Sequence, residues 1–151
     1  DTLDIDYVIH PQSVIHSMVE YADGAVIAQM SAPDMRLPIQ LAFTYPERIP
    51  SDVAPLPLTG ALTFLPPRTD VFVLPEIAKQ SIYAGGNASN ILNAANEAAV
   101  QLFLDNRISF TDIAKLVADT LDDSEIRNET TYDEIYATHT RIYEKLMRDY
   151  K

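Results

Sequence analysis

The residues best suited to chemistry lie in one short stretch, VIHPQSVIHSM, at positions 8–18. His10 and His16 stand six positions apart, with Ser13 between them. Imidazole rings exchange protons near neutral pH and bind metals, so the pair could serve a catalytic or a metal site. Pro11, however, interrupts strand pairing between the two rings. The spacing therefore leaves two interpretations open: a functional pair, or histidines that are hydrogen-bonded for structural reasons.

Several familiar kinds of site are excluded by the rest of the sequence. The chain has no cysteine, which removes disulfides, thiolate nucleophiles and cysteine-bound zinc. Ser13 lacks the Gly-x-Ser-x-Gly pattern of a nucleophile elbow, so a hydrolase using Ser13 and His16 is a remote alternative. The four glycines form neither a dinucleotide fingerprint nor a phosphate loop. The third histidine, His139, has polar neighbours in a predicted helix and is expected to face solvent.

Composition limits the class of protein. The chain has 151 residues, of which 47 % are hydrophobic, enough for one ordinary core. Its formal net charge of -11 argues against a nucleic-acid partner, because a phosphate backbone is bound by a basic surface. No stretch approaches the roughly 20 apolar residues of a membrane span, and the N-terminal DTLDID does not resemble a signal peptide. We expect no membrane segment and, by default, a cytoplasmic protein.

The first part of the chain is predicted to form a hairpin and a short helix. Residues 5–31 alternate like strands, and Asp23-Gly24 predicts a two-residue type I′ turn. This register pairs Tyr21 with Val26, Val19 with Ala28 and His16 with Ser31. It predicts an apolar core face (Ile15, Val19, Tyr21, Val26, Ala28 and Met30) and a mixed face (His16, Met18, Glu20, Ile27 and Gln29). Residues 34–45 are predicted to be helical, with Asp34 as the cap.

The second part of the chain is predicted to be helical, because all ten prolines lie between positions 11 and 75. The proline-rich stretch 48–74 is predicted to be an extended connector. Four helical patterns follow it: one from Pro75 to about Ala84, one from Asn87 or Ser89 to about Asn106, one capped by Ser109 with Asp112, and one opened by a capping box of Thr131 with Glu134. The predicted fold class is α+β: a small mixed or antiparallel sheet with a short helix, then a domain like a four-helix bundle.

A polar stripe marks the second of these helices, NASNILNAANEAAV at positions 87–100. Asn90, Asn93 and Glu97 share one helix face, and asparagine is a mediocre helix former. The stripe is expected either to hydrogen-bond irregular backbone of the neighbouring connector or to face solvent. The residues do not decide between the two.

Several motifs, in order and spacing, together resemble the 1-deoxy-D-xylulose 5-phosphate reductoisomerase family. The matching strings are IHPQSVIHSMV at 9–19, PDMRLPI at 33–39, LTF at 62–64, LNAANE at 92–97 and ISFTDI at 108–113. The similarity extends over essentially the whole chain. It implies an enzyme of the non-mevalonate isoprenoid pathway that rearranges and reduces 1-deoxy-D-xylulose 5-phosphate to 2-C-methyl-D-erythritol 4-phosphate. It also implies NADPH and a divalent cation, Mg²⁺ or Mn²⁺, as cofactors.

The resemblance implies roles for individual residues. His16 matches an active-site histidine of the family that orients the substrate or a metal ligand, and Ser13 matches a nearby supporting serine. Pro33 and Met35 match residues close to the bound substrate and the nicotinamide ring, on which a thioether packs well. The family's cofactor-binding domain, metal-binding carboxylates and mobile lid belong to segments upstream of the HPQS motif. We therefore expect no cofactor-binding and no metal-binding residue in this chain, and no activity from the chain alone.

The resemblance also implies an arrangement of domains and partners. Residues 1–47 correspond to the C-terminal portion of the catalytic domain, 48–74 to a connector and 75–151 to a C-terminal helical domain. Family members are homodimers through the sheet of the catalytic domain, and bacterial members are cytoplasmic. The alternative from another class is a noncatalytic structural or dimerisation module. The coding sequence upstream of Asp1 distinguishes them, because metal-ligand and glycine-rich cofactor motifs there favour the enzyme and a start codon favours the module.

Overall fold

The computed structural model describes residues 4–150, which form two β-strands and five α-helices. These residues divide into two compact units, one of residues 6–67 and one of residues 68–150 together with residues 4–5. The boundary falls inside the proline-rich stretch 48–74. The mixture of a small antiparallel sheet with helices agrees with the predicted α+β class.

The first unit contains a β-hairpin, whose register differs from the predicted one. Strand β1 (Ile15–Glu20) pairs antiparallel with β2 (Val26–Met30), and Val19 lies opposite Ile27 rather than Ala28. The amide of Tyr21 donates to the carbonyl of Ala25, which closes a three-residue loop instead of a two-residue turn. Gly24 takes a φ of 84° at the last loop position, the left-handed conformation that such loops require. The predicted pairing was therefore wrong by one residue.

The change of register also changes the two faces of the hairpin. Val19 now shares a face with Ile27 and Gln29, whereas Met18 shares the other with Ala28. The predicted core face is not buried either, since Val19, Tyr21 and Val26 are all exposed in the described structure. The sorting into a core face and a mixed face was wrong.

The short helix of this unit, α1 (Arg36–Thr44), begins two residues later than predicted. Its N-cap residue is Met35, and Asp34 lies one position before it. The Asp34 carboxylate nevertheless accepts the Arg36 amide at 2.9 Å, which satisfies one of the free N–H groups of the first turn. The proline-rich residues after α1 are held partly by Gln40, whose side-chain amide donates to the carbonyls of Ile49 and Pro50.

The second unit contains the four predicted helices. They are α2 (Leu74–Ala84), α3 (Ala88–Leu104), α4 (Phe110–Asp122) and α5 (Tyr132–Asp149). The predicted capping boxes are present at the starts of α4 and α5, and α2 has Pro75 in its first turn and Gly85 as its C-cap. These local signals placed the helices correctly because each acts within one turn of the residue that carries it.

The core of the second unit is built around α3. Its inward side chains are small or medium-sized and fully buried: Ala88, Ile91, Ala94, Ala95, Ala98, Ala99 and Leu102. Alanines let neighbouring helices approach α3 closely, and α4 and α5 both pack on it through Leu116, Val117 and Ile142. Among residues 4–150, no helix has the length and the apolar character needed to cross a membrane.

Candidate functional site

A groove of about 730 Å³ lies between the hairpin, the turn that follows it and α1 in the first unit. All four residues singled out from the sequence, Ser13, His16, Pro33 and Met35, line this groove. They come from three separate stretches of the first unit. Their convergence gives the unit a concave surface with both polar and apolar walls.

Ser13 enters the groove from a turn that immediately precedes β1. Its φ of 51° lies in the left-handed region, which is uncommon for a residue with a side chain. The Ser13 amide donates to the carbonyl of His10 at 3.0 Å, and this bond closes the turn. Strained backbone of this kind persists only where the surroundings hold it in place, and it concentrates at functional sites.

His16 sits at an irregularity of β1. Ile15 pairs with Met30 and Ser17 with Gln29, so His16 is an extra residue on β1 between these pairs. A bulge of this kind redirects the side chain it carries. The predicted strand pairing of His16 with Ser31 is absent, but the two side chains meet, with His16 Nδ1 lying 3.3 Å from Ser31 Oγ.

The hydrogen bonds around His16 are compatible with a neutral ring whose Nδ1 accepts the Ser31 hydroxyl. Gln29 Nε2 donates to Ser31 Oγ over 3.5 Å, so the Ser31 hydroxyl hydrogen is available for His16 Nδ1. A neutral ring that accepts at Nδ1 carries its proton on Nε2. In the described structure Nε2 has no hydrogen-bond partner, so in this tautomer it can donate to an oxygen in the groove. Sequence reasoning did not assign this supporting role to Gln29 and Ser31, although their alternation along one strand face was a usable signal.

Pro33 and Met35 belong to the apolar lining of the groove. Both side chains are exposed, and Met35 is 70 % accessible, so a flat ring could pack on them. Between them, Asp34 holds the Arg36 guanidinium through three hydrogen bonds of 2.6 to 3.1 Å. These bonds, with that from the Arg36 amide, lower the pKa of Asp34 to about 2. The Asp34 carboxylate is therefore ionised at neutral pH and already paired.

His10, the other member of the histidine pair, does not line the groove. Its Nδ1 lies 2.9 Å from the carbonyl oxygen of Thr63, and its ring stacks on Phe64. The two histidines therefore have different surroundings: His16 faces the groove and His10 contacts the proline-rich segment. They do not form a metal-binding pair.

The groove does not by itself fit a divalent cation. It offers the His16 imidazole, the Glu47 carboxylate and Asp34, which is occupied by Arg36. Within residues 4–150 no three histidine, aspartate or glutamate side chains come close enough together to hold a metal ion. Divalent cations such as Mg²⁺ bind through carboxylates and other oxygens, so further ligands would be required.

The polar stripe of α3 binds the loop between α4 and α5 rather than the proline-rich connector. Asn87 exchanges hydrogen bonds with the backbone of Arg127, and Asn90 Nδ2 donates to the Ile135 carbonyl at 2.9 Å. The carboxylate of Glu129 accepts from Asn87, Asn90 and the Thr138 hydroxyl. Partial burial opposes ionisation of Glu129, but these three bonds outweigh it and lower its pKa. The sequence left open whether the stripe binds the connector or faces solvent, and the structure shows neither for Asn90, which bonds Glu129 and the Ile135 carbonyl in the first turn of α5.

The rest of this stripe contacts His139. This histidine was predicted to face solvent, but its side chain is only partly exposed. Asn93 Nδ2 donates to Glu97 at 3.0 Å, and His139 Nε2 lies 3.4 Å from the same carboxylate. The His139 ring also stacks on Tyr143. Because α3 and α5 pack side by side, a polar position on α5 becomes a half-buried contact between helices.

Comparisons with known proteins give a consistent result. Residues 30–145 match the family profile described as DXP reductoisomerase C-terminal domain. The chain is 49 % identical over 131 residues to the 1-deoxy-D-xylulose 5-phosphate reductoisomerase of Endomicrobium trichonymphae. This alignment covers 85 % of this chain and 34 % of that protein. It is 47 % identical over 139 residues to that of Geobacter metallireducens, covering 91 % and 36 %.

Solved structures agree with these matches. The chain resembles 1-deoxy-D-xylulose 5-phosphate reductoisomerase from Zymomonas mobilis in complex with NADPH, with a TM-score of 0.87, 38 % identity and coverage of 95 % of this chain and 39 % of that one. It resembles a DOX-P reductoisomerase in complex with NADPH, fosmidomycin and magnesium with a TM-score of 0.84, 39 % identity and coverage of 95 % and 38 %. The chain thus spans a little over a third of the length of the relatives it matches.

Proposed function

Since the chain belongs to the 1-deoxy-D-xylulose 5-phosphate reductoisomerase family, we propose that it forms one wall of that enzyme's active site and its C-terminal helical domain. The proposed reaction is the rearrangement and reduction of 1-deoxy-D-xylulose 5-phosphate to 2-C-methyl-D-erythritol 4-phosphate. NADPH supplies the hydride for such a reduction, and a divalent cation, Mg²⁺ or Mn²⁺, polarises the substrate oxygens. The observation that carries the proposal is the convergence of Ser13, His16, Pro33 and Met35 on one groove.

His16 is the residue to which we assign the main part in this wall. Ser31 holds its Nδ1, and the proton on Nε2 is free to bond an oxygen of the substrate or of a metal ligand. A donor held in advance costs no reorganisation when the substrate binds. His16 thereby orients the reacting group and does not ligate the cation itself.

The other three residues complete this wall. Ser13 comes from a strained turn and adds a hydroxyl to the lining of the groove. Pro33 and Met35 present an apolar surface, and the polarisable Met35 sulfur suits packing against a nicotinamide ring. The groove thus combines polar side chains that suit substrate oxygens with an apolar surface that suits a flat ring.

The experiment replaces His16 by asparagine in the complete gene product that contains this sequence. An asparagine amide reaches about as far as Nδ1, so the variant can still bond Ser31 but lacks a donor at the position of Nε2. We expect turnover of 1-deoxy-D-xylulose 5-phosphate, followed by NADPH oxidation, to fall on the order of 100-fold. The melting temperature is expected to change by less than about 2 °C, because His16 is exposed.

The matched control is His139→Asn, which changes a histidine of the second unit and is expected to leave turnover unchanged. Unchanged turnover in His16→Asn, with a lowered melting temperature, would contradict the proposed role. A complete gene product that oxidises no NADPH with substrate and Mg²⁺ would instead favour the noncatalytic structural or dimerisation module.

The 151-residue chain alone is expected to be inactive, because the donors in its groove do not by themselves hold a divalent cation. Purified chain mixed with substrate, NADPH and Mg²⁺ tests this expectation. Steady NADPH oxidation that depends on substrate would refute it.

We also propose that the complete gene product is a cytoplasmic homodimer and that the hairpin contributes to the subunit contact. The support is the exposure of Val19, Val26 and Ile27, which are each more than half accessible on a two-stranded sheet. Ile27→Lys is expected to shift the sedimentation coefficient toward that of a monomer, whereas Leu58→Lys in the proline-rich segment is not. A dimer that survives Ile27→Lys counts against this assignment, and cell fractionation tests the location.

A further inference from the structure

A set of hydrogen bonds joins two distant segments of the first unit, and we call this set the clasp. These hydrogen bonds connect residues 9–13 to residues 63–65. The amide and carbonyl of Ile9 exchange 2.9 Å hydrogen bonds with the carbonyl and amide of Leu65. Gln12 Nε2 donates to Thr63 Oγ1 at 3.0 Å, and Gln12 Oε1 accepts the Thr63 amide at 3.2 Å. One side chain thus bonds both the backbone and the side chain of Thr63.

His10 adds a directed bond to the clasp. A carbonyl oxygen only accepts hydrogen bonds, so His10 Nδ1, at 2.9 Å from the Thr63 carbonyl, carries a proton and donates it. The ring also stacks on Phe64, with centroids 5.0 Å apart. Its Nε2 is buried and has no partner among the described residues. The hydrogen bonding of the ring in this unit is therefore directed entirely at Thr63.

The clasp leads directly into the functional groove. The carbonyl of His10 accepts the Ser13 amide, and this bond closes the turn that holds Ser13 at its positive φ. Strand β1 and its bulged residue His16 follow within a few residues. Residues 10–13 precede the first strand, so the sheet does not hold them. Hairpin bonding begins only at Val14, whose carbonyl accepts the Ser31 amide, and the side chains of His10 and Gln12 bond Thr63, which lies more than 50 positions away in sequence.

We propose that His10 and Gln12 are positioning residues: by fastening residues 9–13 to residues 63–65, they set the placement of Ser13 and His16 that turnover requires. The inference rests on the proposed function of the groove. Neither His10 nor Gln12 lines the groove, so both act through the turn and not by touching substrate.

The location of the clasp separates this role from simple stabilisation. The bonds made by Gln12 lie at the exposed surface, where a single neutral hydrogen bond adds little to folding. A small misplacement of a reacting group, in contrast, can cost on the order of 100-fold in rate. Loss of the clasp is therefore expected to show in turnover before it shows in stability.

The experiment compares clasp variants of the complete gene product with NADPH, Mg²⁺ and 1-deoxy-D-xylulose 5-phosphate. Gln12→Ala and His10→Phe are expected to lower kcat by about tenfold or more, with a much smaller change in KM. His10→Phe keeps the stacking but removes the donor. His10→Asn restores a donor near Nδ1 and is expected to recover most of the lost turnover. The matched control, Ser51→Ala, removes a hydrogen bond to the Val53 amide elsewhere in the proline-rich segment and is expected to leave kcat unchanged.

Two further readouts distinguish positioning from a general structural defect. Amide hydrogen exchange at Ser13 is expected to speed up in Gln12→Ala, while exchange in the second unit is unaffected. In a double-mutant cycle, Gln12→Ala is expected to lower kcat far less in the His16→Asn background than in the wild type. A residue that acts through His16 has little left to disturb once His16 is replaced.

The outcomes separate the two proposals. Wild-type turnover in His16→Asn overturns the proposed function and, with it, this inference. Reduced turnover in His16→Asn together with clasp variants that lose only melting temperature overturns the inference alone. The same holds if Gln12→Ala and His16→Asn lower kcat independently, or if His10→Asn is no better than His10→Phe.

Discussion

Replacing Glu129 by alanine is expected to destabilise the helical unit strongly, because its carboxylate joins three segments of that unit. It accepts hydrogen bonds from Asn87 at 2.7 Å, from Asn90 at 3.2 Å and from the Thr138 hydroxyl at 2.5 Å. These donors lie at the start of α3 and near the middle of α5, while Glu129 itself is in the loop between α4 and α5. One side chain therefore ties the loop to both helices.

The magnitude follows from the donors left behind. Asn87 and Thr138 are only 4 % and 8 % exposed, so water does not readily replace the lost acceptor. Asn90 is less affected because its amide still donates to the Ile135 carbonyl. At about 1–3 kcal/mol for each buried donor left without a partner, Glu129→Ala is expected to cost about 2–5 kcal/mol.

The same contacts predict a dependence on pH. The three hydrogen bonds lower the pKa of Glu129 in the folded state below its model-compound value of 4.5. The unfolded state therefore takes up the proton more readily, and the contribution of Glu129 to stability is lost as the pH falls through its folded pKa. Above pH 4.5 the contribution is fully present. The difference in stability between wild type and Glu129→Ala is expected to be constant near pH 7 and to shrink in acid.

Urea unfolding of the chain, followed by far-ultraviolet circular dichroism, measures this difference, since most of the helix lies in the second unit. Glu125→Ala is the matched control, because Glu125 lies in the same loop but bonds only the exposed side chain of Arg127. It is expected to have little effect. A free energy of unfolding in Glu129→Ala within about 0.5 kcal/mol of the wild type, or a difference that grows in acid, would refute the reasoning.

Two further predictions concern the same unit. Leu102→Ala removes a fully buried side chain from α3 and is expected to lower the free energy of unfolding in urea by about 2–5 kcal/mol. Leu104→Ala, at a 64 % exposed position, is the control and is expected to change it by less than about 0.5 kcal/mol. Equal effects would contradict the assigned core. Gly86→Ala places a Cβ 2.7 Å from a carbonyl oxygen of the α4–α5 loop at a φ of 54°, and Gly85→Ala meets nothing within 4 Å at a φ of 70°. Thermal unfolding should therefore show the larger loss in Gly86→Ala, and the reverse order would contradict the close approach of that loop.

The helical unit was predictable from sequence because its signals are local. Pro75 and Gly85 mark the ends of α2, and the capping boxes that begin with Ser109 and Thr131 mark the starts of α4 and α5. Each of these residues either hydrogen-bonds free backbone groups within one helical turn or marks an end of the helix. The partner of the asparagine stripe was not predictable in the same way, since it depends on which loop folds back over the start of α3.

The hairpin was harder to predict because Asp23-Gly24 is compatible with loops of two or three residues. Gly24 takes a positive φ in either loop, so the sequence pattern is the same. The choice moves every side chain of one strand to the other face. The bulge at His16 then shifts the register again, and nothing in the neighbouring residues indicates it.

The candidate site was predictable as a set of residues but not as an arrangement. Ser13, His16, Pro33 and Met35 were identified through the family resemblance, and all four line the groove. Their roles remain predictions. The residue that supports the His16 ring, Ser31, was assigned to a backbone pairing instead of a side-chain contact. Contacts that bridge long stretches of sequence depend on the folded chain as a whole.

The run of alanines on α3 has a consequence for how the second unit folds. Alanine has no rotamers to lose when it is buried, and it is the strongest helix former among the amino acids. The buried face of α3 therefore loses little side-chain conformational entropy on folding, although α3 supplies more of the unit's buried core residues than α4 or α5 does. The side-chain entropy cost of packing this unit falls mainly on the longer side chains of α4 and α5, because these have rotamers to lose and the alanines of α3 have none.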